Sequence, residues 1–196
     1  YGGISNISNF DLVGDEIVVV DSAHCVTPTI HSNFTFFSFH PYKPICTSDG
    51  GMISTDDLKA SDYFLLYRNF GRVSNELSYD IKTSGFKFYM NNLNATIGLT
   101  QMKRYEALLS ERKNNYKKLL SRYILLPHDQ KSSYYFATTL TKEANKIIKK
   151  TGLSRHYPML HKMKYYDNGQ QLPCLENMHD LILNLPLYSL NNILTQ

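Results

Sequence analysis

The sequence predicts an α/β protein, and three observations in its first half carry that prediction. The run DEIVVVD at residues 15–21 is β-branched, of strand length and apolar on both faces, a pattern typical of a buried strand in a parallel sheet. TFFSF at residues 35–39 and GMIST at residues 51–55 are two further strand candidates. Because helical patterns accompany these strands, we expect an α/β organisation up to about residue 105.

Two helices are predicted after the strands. The segment from Thr55 to Gly71 opens with a threonine and two aspartates, which are favoured at helix N-termini, and ends on a glycine. From Asn92 to about Leu126, apolar side chains recur at steps of three and four residues, as on one face of a long helix. Pro127 then ends this pattern.

The C-terminal part is predicted to be a smaller α+β unit. SSYYFATTL at residues 132–140 alternates like a strand, and TKEANKIIKKTG at residues 141–152 is an amphipathic helix with a glycine stop. We therefore expect two domains, residues 1–105 and 106–196, joined by the long helix of about residues 92–126.

Composition and charge restrict the class of protein. The chain has 196 residues, 42% of them apolar, which is enough for one or two globular domains. It has no apolar run of membrane-spanning length. No signal-peptide pattern is visible in its first residues and it does not begin with Met, so we expect a piece of a longer protein. Three widely spaced cysteines favour neither a disulfide framework nor a metal site and fit the cytoplasm. The net charge of +4 comes from lysine-rich runs that we interpret as solvated helix faces, so we expect no nucleic-acid or membrane partner.

Four candidate functional residues surround the ends of two predicted strands. Asp21 ends the first strand and His24 follows it, while Ser38 and Lys43 lie at and just after the end of the second. In open parallel sheets, ligands bind at the carboxyl ends of the strands. Structural interpretations also exist, because the aspartate can cap the following turn and the histidine can be a satisfied loop residue. The residues alone leave both interpretations open.

The backbone around Lys43 is unusually restricted. The lysine lies between Pro41 and Pro44, and Asp49 opens an Asp-Gly-Gly turn just beyond. Burial lowers the pKa of a lysine and allows its amine to attack a carbonyl carbon. Enzymes that use pyridoxal phosphate combine such a lysine with a carboxylate for the pyridine nitrogen and with hydroxyl or amide donors for the phosphate. The spacing of these residue types allows all three groups to gather at one sheet edge.

Several blocks of the sequence occur in the order and spacing of a known family: VVVDSAH, FFSFHPYKPICTSDGGMIST, LLYRNFGR, GFKFYMNNLNATIGLTQMKR, HYPMLH and LPCLENMHDLILNLPLY. From about residue 1 to 190 the chain resembles the DegT/StrS family of sugar aminotransferases, without that family's N-terminal part. The resemblance implies the aspartate-aminotransferase fold (fold type I of pyridoxal phosphate enzymes), with an incomplete large domain and a small C-terminal α+β domain. It also implies a homodimer whose active sites lie at the subunit interface.

The resemblance assigns roles to the four candidates. Lys43 falls on the lysine that binds the aldehyde of pyridoxal 5'-phosphate covalently, and Asp21 falls on the carboxylate that faces the pyridine nitrogen. His24 falls on a glutamine or histidine near the phenolic oxygen of the cofactor, and Ser38 falls on a hydroxyl that binds its phosphate. The lysine and the aspartate are accordingly the expected catalytic residues.

Three more site residues follow from the resemblance. Lys87 falls where family members place an asparagine or lysine that reaches the phosphate of the neighbouring subunit, and His156 and Tyr157 fall on a loop near the sugar-binding mouth. Phe70 and Tyr89 depart from the family pattern, since histidine is frequent at the first position and asparagine or arginine at the second. The local hydrogen bonding is therefore expected to differ from that of the family.

The implied function is transfer of an amino group from an amino acid, usually glutamate in this family, to a keto group of a nucleotide-linked deoxysugar. The segment SFHPYKPI is closer to members that act on 4-keto sugars than to those that act on 3-keto sugars. The alternative is a non-catalytic structural or interaction module, either a fragment or a degenerate copy of the fold, because this chain lacks the family's N-terminal part.

Overall fold

The computed structural model describes residues 15–26, 32–73, 80–129 and 131–188. These residues belong to two compact units, one ending at Glu106 and the other beginning at Ala107. The assignment of the two units to a cofactor-binding domain and a small C-terminal domain stays a prediction. Within the described ranges, no helix combines the length and the apolar character needed to cross a membrane.

The first unit is built on a three-stranded sheet. Its strands are β1 (Val19–Asp21), β2 (Phe34–Ser38) and β3 (Gly51–Ser54). β1 pairs with β2 in parallel, with Asp21 opposite Phe36, and β2 pairs with β3 in antiparallel fashion. The three predicted strands are therefore confirmed, although β1 is shorter than its sequence run. Because β1 and β2 run in the same direction, their carboxyl ends lie at the same edge of the sheet.

The burial of β1 differs from the prediction. Ile17 and Val19 are 70% and 57% exposed, so the expectation of a strand buried on both faces is wrong for the described chain. β1 is an edge strand, and β2 is its one neighbour among the described residues. Parallel strands become buried when layers cover both faces of their sheet, and within the described ranges the apolar side chains of β1 stay accessible.

Helix α1 spans Leu58–Tyr67 and begins where the sequence predicts. Asp57 is its N-cap, and the carboxylate accepts hydrogen bonds from two backbone N–H groups of the first turn at 2.9 and 3.1 Å. These bonds satisfy donors that have no partner inside the helix. Phe64 of α1 packs its ring edge-on against Phe34 of β2, with 5.9 Å between the ring centroids. The helix is thereby attached to the sheet.

The chain turns back after α1 at Gly71. Its φ is +75°, and a Cβ at this position would lie 1.6 Å from the carbonyl oxygen of Thr83, so the turn requires glycine. The close approach lets residues 80–88 return along the end of α1, where the Phe86 N–H donates to the Tyr67 carbonyl at 2.7 Å. The backbone of the GFKF segment is fixed by this contact.

The second unit packs two helices against a two-stranded antiparallel sheet. The strands are β4 (Phe136–Leu140) and β5 (Ile182–Pro186), and the helices are α3 (Ala144–Thr151) and α4 (Pro173–Leu181). β4 and α3 confirm the predicted strand and helix, whereas α4 and β5 are not predicted from the sequence. The buried core of this unit consists of Tyr116, Leu119, Leu125, Ala137, Ala144, Leu183, Leu185 and Leu187.

Helix α2 spans Asn92–Leu120 and ends before the predicted end near Leu126. After the helix the chain pairs with β4, where the Leu126 N–H donates to the Thr138 carbonyl at 2.8 Å. The hydroxyl of Tyr116, inside α2, donates to the Leu126 carbonyl at 2.9 Å. Tertiary hydrogen bonds therefore replace the last predicted turns of the helix.

His128, two residues after Leu126, is held in one tautomer. Its Nε2 lies 3.1 Å from the carbonyl oxygen of Phe136, which can only accept, so Nε2 carries the hydrogen. Nδ1 is then the acceptor for the Ser132 hydroxyl at 2.6 Å. The imidazole stacks on Tyr134, with 4.6 Å between ring centroids. Burial lowers the pKa of His128 to about 4, and the hydrogen bond to Phe136 opposes that shift only in part.

Because His128 is neutral in the folded chain, we expect the protein to lose stability in mild acid. The unfolded chain takes up a proton at this histidine near pH 6.5, whereas the folded chain does so only near pH 4. The free energy of unfolding should therefore fall as the pH drops through this interval. Urea denaturation over a pH series measures the effect, and His128→Gln should reduce the slope of the free energy of unfolding against pH. Equal slopes in the wild type and the variant would contradict the expectation.

Candidate active site at the carboxyl edge of the parallel strands

Asp21 ends β1 at the edge of the sheet where β2 also ends. Its Oδ1 accepts a hydrogen bond from the Ala23 N–H at 2.9 Å, so the carboxylate caps the turn that follows the strand. His24 lies in the same turn and is half-buried. The hydrogen bond from the Ala23 N–H engages Oδ1 and orients the carboxylate, which is compatible with a ligand at the other carboxylate oxygen.

Lys43 lies in a closed loop between β2 and β3, residues 39–50, which we call the Lys43 loop. The loop is closed where the Phe39 N–H donates to the Gly50 carbonyl at 2.9 Å and the Thr47 N–H donates to the Phe39 carbonyl at 3.0 Å. Inside the loop, the Lys43 N–H donates to the His40 carbonyl at 2.9 Å. The backbone of the lysine is therefore held within a hydrogen-bonded frame.

Packing holds the second half of this loop. Pro44 and Ile45 follow the lysine and are buried, the isoleucine with an exposed fraction of only 2%. Gly50 has a φ of +132°, which favours glycine, and a Cβ there would lie 2.7 Å from Met90 Cε. The glycine of the Asp-Gly-Gly turn is thus needed mainly for its backbone angle, because Met90 Cε is the end of a flexible side chain that can move.

The amine of Lys43 lies in the electric field of the Asp21 carboxylate. Burial has the largest influence on Lys43 and lowers its pKa from the usual value, while the negative charge of Asp21 raises that pKa and offsets part of the shift. Ser38 ends β2 at the same edge, and its Oγ accepts a weak hydrogen bond from the His40 N–H at 3.4 Å. The carboxylate of Asp21 and the hydroxyl of Ser38 thus follow two strands that end at one sheet edge, and the charge of that carboxylate acts on the Lys43 amine. No cluster of metal-ligating side chains occurs among the residues that the structure describes.

Lys87 lies in the same unit on the segment that returns along α1, and it is exposed. Its Nζ is 5.7 Å from the centroid of the Tyr89 ring. The Tyr89 ring contacts Phe70, with 6.4 Å between centroids, and the Arg72 guanidinium lies 5.2 Å from the centroid of Phe70. The two residues that depart from the family pattern therefore pack against each other. Aromatic and cation–π contacts occur where that pattern has polar side chains.

His156 and Tyr157 lie in the second unit. The His156 N–H donates to Asn184 Oδ1 at 2.9 Å, and Asn184 Nδ2 donates to Thr138 Oγ1 at 3.0 Å. The His156 ring stacks on Phe136 at 5.1 Å between centroids, whereas Tyr157 is 50% exposed. Asn184 thus fixes this loop to the sheet and was missed by the sequence analysis. Its signal was an amide inside the apolar run LILNLPL.

Comparison with known proteins identifies the class of protein. The DegT/DnrJ/EryC1/StrS aminotransferase family profile matches residues 15–192, so the chain belongs to that family. The solved PLP form of a putative sugar aminotransferase from Streptococcus pneumoniae is similar, with a TM-score of 0.76 and 28% identity over 88% of this chain and 53% of that one. The predicted α/β fold of the aspartate-aminotransferase type is confirmed.

Two curated relatives are similar in sequence. UDP-4-amino-4,6-dideoxy-N-acetyl-beta-L-altrosamine transaminase from Helicobacter pylori is 26% identical over 146 residues, which cover 73% of this chain and 35% of that protein. GDP-perosamine synthase from Escherichia coli O157:H7 is 28% identical over 173 residues, which cover 80% of this chain and 47% of that protein. The chain therefore spans less than half the length of each of these relatives.

Gly50→Ala is expected to destabilise the first unit by about 1–3 kcal/mol. The substitution strains the backbone at a φ of +132° and places a Cβ against Met90 and Thr47. Gly169→Ala is the matched control, because its φ is +78° but a Cβ there meets nothing within 4 Å. Urea denaturation compares the two, and a loss in Gly50→Ala no larger than that in Gly169→Ala would contradict the expectation.

Proposed function

We propose that this chain is part of a pyridoxal-phosphate-dependent aminotransferase that acts on a nucleotide-linked keto sugar. The proposal rests on the half-buried Lys43 amine, whose pKa burial lowers, beside the Asp21 carboxylate at the carboxyl edge of β1 and β2. A lysine with a lowered pKa is unprotonated more often at neutral pH, which is the form that attacks a carbonyl carbon. Membership of an aminotransferase family and the similar PLP-bound structure support the same assignment.

The groups at this edge fit the chemistry of pyridoxal phosphate. Lys43 would bind the aldehyde carbon covalently, and Asp21 would face the pyridine nitrogen and keep it protonated. Ser38 would donate to the phosphate, and His24 would lie near the phenolic oxygen. When bound, the cofactor acts as an electron sink for the carbon that loses or gains the amino group.

Lys43 is also the proposed general base and general acid. When its amine is free, Nζ would accept a proton from one reacting carbon and return it to a second carbon two bonds away, so that the lysine ends in the protonation state in which it began. This work requires an unprotonated amine near neutral pH, and burial favours that form. The hydrogen bonds of the Lys43 loop fix the lysine backbone, and they therefore limit the positions that Nζ can reach.

The acceptor is proposed to be a keto group, at C4, of a nucleotide-linked deoxysugar, and the donor is proposed to be glutamate. The names of the two curated relatives support the substrate class, since one begins with UDP and the other with GDP. His156 and Tyr157 are the proposed sugar-binding residues. The exposed ring of Tyr157 offers a surface for a sugar, and Asn184 holds the loop that carries it.

We further propose a cytoplasmic homodimer with shared active sites. Lys87 would reach the cofactor phosphate of the neighbouring subunit, as the family resemblance implies. Its exposure supports this role, because an exposed lysine can extend its amine beyond its own unit. Its contact with Tyr89 would then orient the amine before the phosphate binds.

The first test is the visible spectrum of the complete natural polypeptide with added pyridoxal phosphate. Wild type should develop a visible absorption band that Lys43→Ala abolishes, because the band reports a bond between the cofactor aldehyde and a lysine. Lys59→Ala is the matched control, since that lysine is exposed on α1, and it should keep the band. A wild type without the band would favour the non-catalytic module instead.

The second test is Asp21→Asn, which keeps Oδ1 as the acceptor for the Ala23 N–H and so preserves the turn cap. Cofactor binding should be partly retained, while turnover should fall on the order of a hundredfold, because a neutral amide would not keep the pyridine nitrogen protonated and the electron sink would be weaker. The rate at which glutamate or glutamine changes the visible spectrum measures the loss. Wild-type rates in Asp21→Asn would refute the assignment of this carboxylate.

A further inference from the structure

Thr47 lies at the neck of the Lys43 loop, by which we mean the part where Phe39 meets residues 47–50. It is almost completely buried, with an exposed fraction of 2%. Its backbone N–H donates to the Phe39 carbonyl at 3.0 Å, and its hydroxyl donates to the Asp49 carbonyl at 2.6 Å. The two bonds tie the start of the loop to its last turn. Neither the proposed function nor the family resemblance gives this residue a role.

The methyl group of Thr47 faces helix α2. A Cβ at Gly98 would lie 2.9 Å from Thr47 Cγ2, closer than real Cβ contacts, so the helix backbone passes directly against the threonine. One turn earlier, Asn94 Nδ2 donates to the Asp49 carbonyl at 3.3 Å. Glycine is unfavourable inside a helix by about 1 kcal/mol relative to alanine. Its presence at the contact point makes room for the neck of the loop.

We propose that Thr47 and Gly98 together form a positioning device for Lys43. The hydroxyl closes the loop through its hydrogen bond, and the methyl group packs the closed loop against α2. The position of the lysine amine relative to the sheet edge is thereby fixed. This inference rests on the proposed function, because it concerns how the loop serves a covalent cofactor lysine. Thr47 is a positioning residue, since its own side chain is engaged by the protein.

The two functions of the threonine can be separated by substitution. Thr47→Val keeps a branched side chain but removes the hydroxyl, leaving the Asp49 carbonyl without that donor. Gly98→Ala keeps the hydroxyl but pushes the added methyl group against Thr47 Cγ2. Thr47→Ser combined with Gly98→Ala removes the crowding methyl group and retains the hydroxyl. If the contact positions the lysine, the double variant should recover what Gly98→Ala alone loses.

The experiment uses the complete natural polypeptide in two states. In cofactor-free protein, acetylation of Lys43 is followed by mass spectrometry over a pH series. Thr47→Val and Gly98→Ala should each move the pH midpoint of Lys43 acetylation to higher pH. A displaced loop admits water to the amine, which favours the charged form and raises its pKa. With pyridoxal phosphate, both variants should retain the cofactor about fivefold more weakly. The double variant should return both measurements toward wild type.

Thr100→Val is the matched control, because Thr100 lies exposed on the same helix and its hydroxyl donates to the Thr96 carbonyl of α2 at 3.1 Å. It should change neither measurement. A thermal melt accompanies each variant, since a purely structural threonine would lower the melting temperature without moving the Lys43 midpoint. That result would overturn the positioning role.

Failure of this inference is distinguishable from failure of the proposed function. Suppose that wild type shows the visible absorption band that Lys43→Ala abolishes, but Thr47→Val and Gly98→Ala keep the wild-type pH midpoint of Lys43 acetylation. The positioning role is then refuted and the enzyme assignment stands. If wild type shows no band but the midpoint shifts and recovers as expected, the contact positions the lysine and the cofactor assignment fails.

Discussion

The parallel pairing of β1 with β2 is the constraint on which the proposed site depends. Parallel strands end at the same edge of a sheet, so the carboxylate of Asp21 and the hydroxyl of Ser38 leave their strands on one side. The Lys43 loop begins directly after β2 and returns its amine to that edge. A shift of register by one residue would turn Asp21 to the opposite face of the sheet.

The electrostatics of the edge follow from this placement. Two opposing influences act on Lys43: burial favours the neutral amine, and the nearby carboxylate favours the ammonium ion. Burial has the larger influence, so the pKa of the Lys43 amine lies below its usual value although the Asp21 carboxylate opposes that shift. His128 shows the same principle in the second unit, where burial keeps an imidazole neutral, but there every polar atom bonds to the protein and the role is structural.

Contacts between distant segments hold the proposed site residues in place in both units. Gly71 allows the GFKF segment to lie against the end of α1, and Gly98 allows the neck of the Lys43 loop to lie against α2. In the second unit, an amide performs the corresponding task, because Asn184 joins β4 to the loop of His156. Side chains with proposed chemical roles are therefore carried on segments that other elements hold in place.

The sequence by itself determined strands β1 to β4, the start of α1 and the Lys43 loop, because β-branched runs, side-chain caps and glycine turns act over a few residues. Tertiary structure decided the end of α2, where pairing with β4 replaces helical hydrogen bonds that periodicity alone favours. It also decided the exposure of β1, the formation of β5 and the seating of Thr47 on Gly98. These depend on contacts between segments distant in the chain, and no local pattern records which partner a strand edge or a buried hydroxyl meets.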